Sequence, residues 1–304
     1  PAAAAASQLV RTTATWSEWP VPMFFGAVVS CIGFGDEITS ERQPKGGTYT
    51  WNGFTGHRFW FDHDRMLASG FLPDISGTKK PTAILISGSG DGAMQDFQRA
   101  TTGVFGRDLY EAIAKHAPFQ PERFMLKAVL AEDIARRAHG WRAPDFPITT
   151  ALSDWHDEYD TAVDGLWSSW GAVVQSKVGL GVLRPELQSH LNGNPDGLKV
   201  EWVMREAVPG YSYGLNRFLS LLVLRLIEHL SQPKGTTDCG ILPEHEITAI
   251  RPSPTSPHKC GRPGPCYAQM HDVQLTPVGS RKGDPILYRN YDLVIVRHGQ
   301  EPTS

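Results

Sequence analysis

A glycine-rich turn, set between an apolar run and a helical pattern, constrains this chain more than any other stretch. It lies within Pro81–Arg99, PTAILISGSGDGAMQDFQR. Ala83–Ile86 predicts a short buried strand, and Met94–Arg99 predicts the first turns of a helix. Between them runs Gly88-Ser89-Gly90-Asp91-Gly92-Ala93. A strand, a G-x-G-x-x-A turn and a helix are the parts that receive a dinucleotide. The first glycine permits the tight turn, and the second lets a pyrophosphate approach the backbone. The small third residue, here Ala93, lets helix and strand pack closely. Free N–H groups at the helix start and the positive end of its dipole then face the phosphates. The same residues also suit a tight turn that holds nothing.

The bulk properties narrow the field. With 304 residues, 40% of them hydrophobic and 20% charged, the chain has material for a substantial core and is not of disordered composition. A net charge of −3 without a long Lys/Arg run gives no footprint for a nucleic-acid partner. Phe24–Phe34 is too short to span a bilayer and Phe218–Ile227 carries Arg225, so no membrane segment is expected. The four cysteines are not needed as staples in a chain of this size, so a reducing, cytoplasmic location is expected.

Taken in order, residues 1–22 read as a linker or the remnant of an upstream flavin domain. Phe24–Ile32 reads as a buried strand that enters a glycine turn at Gly33. In Glu41–Lys80, His57, Asp62, His63 and Asp64 cluster among aromatics, which reads more simply as an exposed loop than as a metal or proton-transfer site. Helices are expected at Asp108–His116, Glu122–His139 and Ala151–Val174. The last carries Trp155, Tyr159, Val163, Leu166, Trp167 and Trp170 at helical spacing, a stripe that suits core or a subunit face better than a ligand site. Leu198–Arg205 alternates as a strand, and Leu215–Leu230 is a strong helix with a stop signal after it. Glu246–Ile250, Asp272–Thr276 and Ile286–Arg289 are short strand candidates, and Tyr291–Val296 is an apolar strand followed by Arg297-His298-Gly299.

This order resembles the nucleotide half of the two-dinucleotide flavoprotein oxidoreductases, the FAD/NAD(P)-dependent group that includes thioredoxin reductases. Ala27–Gly33 resembles the strand closing the group's flavin domain, and Gly88–Ala93 its GGGDSA-type turn. The resemblance implies an α/β fold: a Rossmann-like parallel sheet, a small antiparallel meander and a helical insertion. The nucleotide-binding domain would occupy 23–104 and 198–304, with the mostly helical insertion at 105–197. Arg205 and Glu206 would choose at the ribose, Arg meeting the 2′-phosphate of NADP. Gly33, Arg297, His298 and Gly299 would flank the nicotinamide or flavin side. NAD(P), and with it FAD, are the implied cofactors, and hydride transfer is the implied chemistry. A flavin-binding half or another subunit is the implied partner. The chain shows no flavin fingerprint of its own and no C-x-x-C before the turn. That leaves an alternative, a non-catalytic nucleotide-binding module that docks a partner through its helical insertion. No catalytic acid or base stands out.

Two other constellations compete. His258, Cys260, Cys266 and His271 lie close enough in sequence for a structural zinc site, with a disulfide or free thiols as the plainer alternatives. Val294–Glu301 matches locally the signature of histidine phosphatases, whose second His and further arginines lie well downstream. His298 reads better as a residue at the mouth of the sheet.

Overall fold

A computed structural model of the chain describes residues 54, 82–116, 130, 156–168, 181–210, 212–231, 239–253, 270–279 and 286–298. The expected strand at Phe24–Ile32 and most of the helix at Glu122–His139 lie outside them, as do the His57–Asp64 cluster, Trp155 and Trp170. The chain is mixed α/β. Among the described residues, four parallel strands form one sheet: β1 (Ala83–Ser87), β2 (Lys199–Val203), β3 (Gly240–Leu242) and β7 (Leu293–Val296), in the order β3-β2-β1-β7. Three antiparallel strands form a second: β4 (His245–Pro252), β5 (His271–Pro277) and β6 (Leu287–Tyr291). The helices are α1 (Asp91–Thr102), α2 (Gly106–His116), α3 (Pro185–Leu191) and α4 (Gly214–Leu230), with a further helical segment at 156–168.

Side-chain alternation along the parallel strands builds the layers. Ile84, Ile86, Val200, Trp202, Leu293 and Ile295 face the helices in one apolar cluster. Leu85, Val203, Val294 and Val296 point to the other face, where they pack with Ile247, Ile250, Val273, Leu275 and Tyr291 of the meander. The parallel sheet is therefore covered on both sides, which is why its strands read as unbroken apolar runs. Glu201 is the exception. It alternates with Val200 and Trp202 as an outward residue would, yet it is only 3% exposed because its face meets the meander. Arg289 binds its Oε1, the Tyr291 hydroxyl donates to its Oε2 at 2.6 Å, and Lys199 lies 3.6 Å away. Burial, and then the Glu201 charge, push the Tyr291 hydroxyl far above its ordinary pKa, so it stays a donor.

Tyr159, Val163 and Leu166 of the 156–168 segment are fully within the core, and Trp167 packs against it. The tryptophan stripe, where described, is core. Arg225 of α4 holds the same segment through Asp160 and Asp164, both at 2.8 Å.

The expected strand Tyr291–Val296 divides. Tyr291 ends the meander, Leu293 begins the parallel sheet, and Asp292 makes the change of direction. Its Oδ2 accepts from the Thr82 amide (2.8 Å), the Thr82 hydroxyl (2.9 Å) and the Ala83 amide (3.0 Å), so one carboxylate pins the start of β1 beside β7. Asp292→Ala should lower unfolding free energy by about 3 kcal/mol, the cost of leaving donors to a charged acceptor unmet. Urea denaturation checks this, and an unchanged midpoint would remove the clamp from the account.

Candidate functional site

The C-terminal edge of the parallel sheet is where the chain leaves β1, β2 and β7. From β1 the chain runs to β2 on one side, whereas β7 closes the other side after the meander. This reversal of strand order falls between β1 and β7, and the place beyond such strand ends is the usual ligand position in open α/β sheets. The Gly88–Ala93 turn sits at that place.

The turn is fixed by its carbonyls. Gly88 N–H donates to Val203 O (3.1 Å), and the Trp202 indole donates to Gly88 O (2.6 Å). Gly210 N–H donates to Ser89 O (2.7 Å), and Met94 N–H closes the first helical bond on Gly90 O (3.1 Å). The carbonyls of 88, 89 and 90 are thus used internally. The amides of Asp91, Gly92 and Ala93 precede that first bond, and no side chain caps them. Residues 88–92 are half-buried and Ala93 is fully buried against the sheet, as the motif requires.

The glycines differ in kind. Gly88 has φ +135°, and a β-carbon there would collide with the carbonyl of Arg297. A side chain at Gly92 would crowd the Arg297 stem, 3.3 Å away. Gly90 has φ −89° and ψ −171°, an extended conformation open to any residue. A β-carbon there would meet nothing within 4 Å among the described residues. Space lies open in front of Gly90, at the start of an uncapped helix.

The expected site residues separate into groups. Gly88, Ser89, Gly90, Asp91, Gly92 and Ala93 form the turn. Arg205 and Glu206 stand exposed just past β2, and Arg205 Nε lies 3.2 Å from Glu246 Oε2. Arg297 is turned inward: its side chain is 4% exposed, and its Nε donates to Asp96 Oδ2 at 2.7 Å beneath α1. Arg99 joins Asp96 from α1 at 3.6 Å and lies over the Phe105 ring, and burial lowers its pKa against the pull of Asp96. His298 is half-buried at the end of β7, with Nε2 2.9 Å from the Ser87 hydroxyl. Gly33 and Gly299 lie outside the described residues.

Of the zinc candidates, His258, Cys260 and Cys266 also lie outside them. His271 begins β5 beside Phe54, and burial lowers its pKa. Among the described residues no group of three His, Cys, Asp or Glu side chains is placed to hold a metal ion. Cys239 is buried, and its Sγ accepts from the Val200 amide at 3.4 Å.

Several contributors are not visible in the motif. Asp91, the first residue of α1, accepts from the Tyr213 amide (3.0 Å) and the Asn216 side chain (2.9 Å), tying the start of α4 to the turn. Buried Arg217 donates to the carbonyls of Pro209 (2.6 Å) and Gly210, so the segment after β2 is held against Ser89. Arg217 also meets His156 Nδ1 at 2.9 Å. Only its place before Gly88 marks Ser87 in the sequence, and no sequence signal marks Glu246 or Arg217.

No protein-family model matches this chain, and comparison with curated proteins finds no match.

Two predictions follow from this geometry. Gly88→Ala should cost on the order of 3 kcal/mol through a strained φ and overpacking on Arg297, whereas Gly90→Ala should cost about 1 kcal/mol or less. Equal losses in chemical denaturation would contradict the contrast between the two glycines. Burial, and then the Arg217 charge, lower the pKa of His156 in the folded chain. The unfolded chain then takes up the proton first, so His156 contributes stability above about pH 6.5 that is lost as pH falls below that value. His156→Gln should flatten the fall in denaturation midpoint between pH 7.5 and 5, relative to the parent, by its share.

Proposed function

We propose that this chain is a Rossmann-like NAD(P)-binding module of the FAD/NAD(P)-dependent oxidoreductase type. The observation that carries this is Gly90. Its backbone does not need a glycine and no described neighbour needs the room, yet it sits at the uncapped start of α1 beside the strand-order reversal. A pyrophosphate placed there would take the amides of Asp91, Gly92 and Ala93 and the positive end of α1. The adenosine ribose would reach the end of β2 at Arg205 and Glu206. The nicotinamide side would lie toward Ser87 and His298.

A bound nicotinamide supplies the hydride chemistry, with flavin as its partner where one is present. The chain's own part is positional. Trp202 and Val203 fix the turn, Asp91 and Arg217 hold the covering segment, and Asp96 with Arg297 supports the first turns of α1 from below. Ser87 sets the ring of His298 at the strand ends.

Nucleotide binding should stabilise the protein by about 2.7 kcal/mol at roughly 100 times Kd. Thermal denaturation with and without NAD+ or NADP+ reads this directly. Gly90→Val should fold and lose that stabilisation, because the branched side chain fills the space in front of the amides. Stabilisation that survives in Gly90→Val would place the nucleotide elsewhere. A flavin absorbance spectrum that bleaches with NAD(P)H separates a redox module from one that only binds nucleotide.

A further inference from the structure

Arg217, fully buried near the start of α4, joins three parts of the chain through one guanidinium. Its Nη2 donates to the carbonyls of Pro209 (2.6 Å) and Gly210, on the segment that follows β2. Its Nη1 lies 2.9 Å from Nδ1 of His156, at the start of the 156–168 segment. A guanidinium only donates, so Nδ1 accepts, and the imidazole is neutral with its proton on Nε2. Gly210 in turn donates its N–H to Ser89 O at 2.7 Å, and a β-carbon on Gly210 would come within 2.9 Å of the Ser89 hydroxyl. One line of contacts thus runs from His156 through Arg217 and Gly210 to the glycine turn.

We propose that His156 is a proton-sensitive latch, which keeps residues 209–210 against the glycine turn while it is neutral and frees them when it is protonated. Protonation places a second N–H on Nδ1, so a donor then faces a donor and a cation faces a cation across 2.9 Å. The guanidinium is a rigid plane, so Nη1 cannot leave the imidazolium without drawing Nη2 off the two carbonyls. The segment bearing His156 is the firmer partner. Its Asp160 and Asp164 each hold Arg225 of α4 at 2.8 Å, and its Tyr159, Val163 and Leu166 are in the core. The charges around His156 come from both elements. Arg217 and Arg225 of α4 oppose its protonation, and Asp160 and Asp157 of its own segment favour it. Burial weighs most, and with Arg217 it keeps the ring neutral in the closed arrangement. Opening relieves both, so the open arrangement binds the proton more tightly. The latch therefore holds fully above about pH 6.5 and weakens as pH falls below that value. Asp91 keeps its bonds to the Tyr213 amide and the Asn216 side chain, which confines the opening to the start of the covering segment.

Amide hydrogen exchange of the full chain, read by mass spectrometry and corrected for the intrinsic pH dependence of exchange, tests this. The measurement uses no nucleotide, so its outcome is independent of the dinucleotide reading above. In the parent, protection in peptides spanning residues 206–212 should fall about tenfold between pH 7.5 and 5, while that of β1 changes less. In His156→Gln, whose amide oxygen can accept from Arg217 and does not titrate, the local fall should vanish. His156→Asn, a shorter neutral acceptor, takes its place if His156→Gln folds poorly. Protection at 206–212 that is equal at the two pH values in the parent, that falls only in step with β1, or that falls as far in the neutral variant overturns the latch.

Discussion

Where β1 ends, the α-carbon of Gly88 lies against the backbone carbonyl of Arg297, and this close approach fixes much of what surrounds it. Because no side chain fits between them, the turn and the end of β7 share one surface. The Arg297 N–H continues the ladder by donating to Ser87 O at 2.7 Å. The Arg297 side chain then passes under Gly92 to Asp96, in the second turn of α1. A buried ion pair of this kind gains little net stability over an apolar pair, but losing one partner leaves a costly uncompensated charge. Its effect here is to set the height and direction of α1 relative to β1 and β7. The open space at Gly90 follows from that placement.

The sheet's two faces do different work. The strand residues of the helical face are apolar and supply packing. The meander face carries the one buried carboxylate of the central strands, and Arg289 and Tyr291 meet it from β6. Those contacts allow the meander only a narrow range of registers on the sheet. The same registration brings β4 past the exit of β2 and Glu246 to Arg205. A polar cluster in the layer interface and a charge pair on the rim thus belong to one arrangement.

Much of the fold was legible because the central strands are buried on both faces and their apolar runs are continuous. Leu215–Leu230 was legible for the complementary reason, since a long apolar helix with a stop signal has few other readings. α1 starts at Asp91, three residues before the helical pattern begins at Met94, because glycines carry no helical signal even where they cap a helix. β3 has no sequence signature. Gly240–Leu242 is too short for a pattern, and its strand character comes from pairing with β2. The alternation of Leu198–Arg205 implies a strand with a polar face, but that face is covered, and Glu201 shows how a partner layer overrides alternation. Within the site, the turn itself was legible from its spacing. The inward course of Arg297 was not, because its partner Asp96 reads as an ordinary polar residue of an amphipathic helix. The meeting of Arg205 with Glu246 depends on the β3–β4 turn, which the sequence does not announce.

The placement of β7 beside β1 also has a consequence for how the chain acquires its shape during synthesis. Ser87 and His298 touch across a separation of 211 residues, and Thr82 and Asp292 across 210. While the intervening chain is being made, Ile84, Leu85 and Ile86 have no neighbour on one edge, and Asp96 has no Arg297. The parallel layer is completed only when its last described strand emerges from the ribosome. A topology with contacts this distant folds slowly. Its unpaired apolar edge stays exposed in the meantime, the condition under which a partly folded chain is most prone to aggregate.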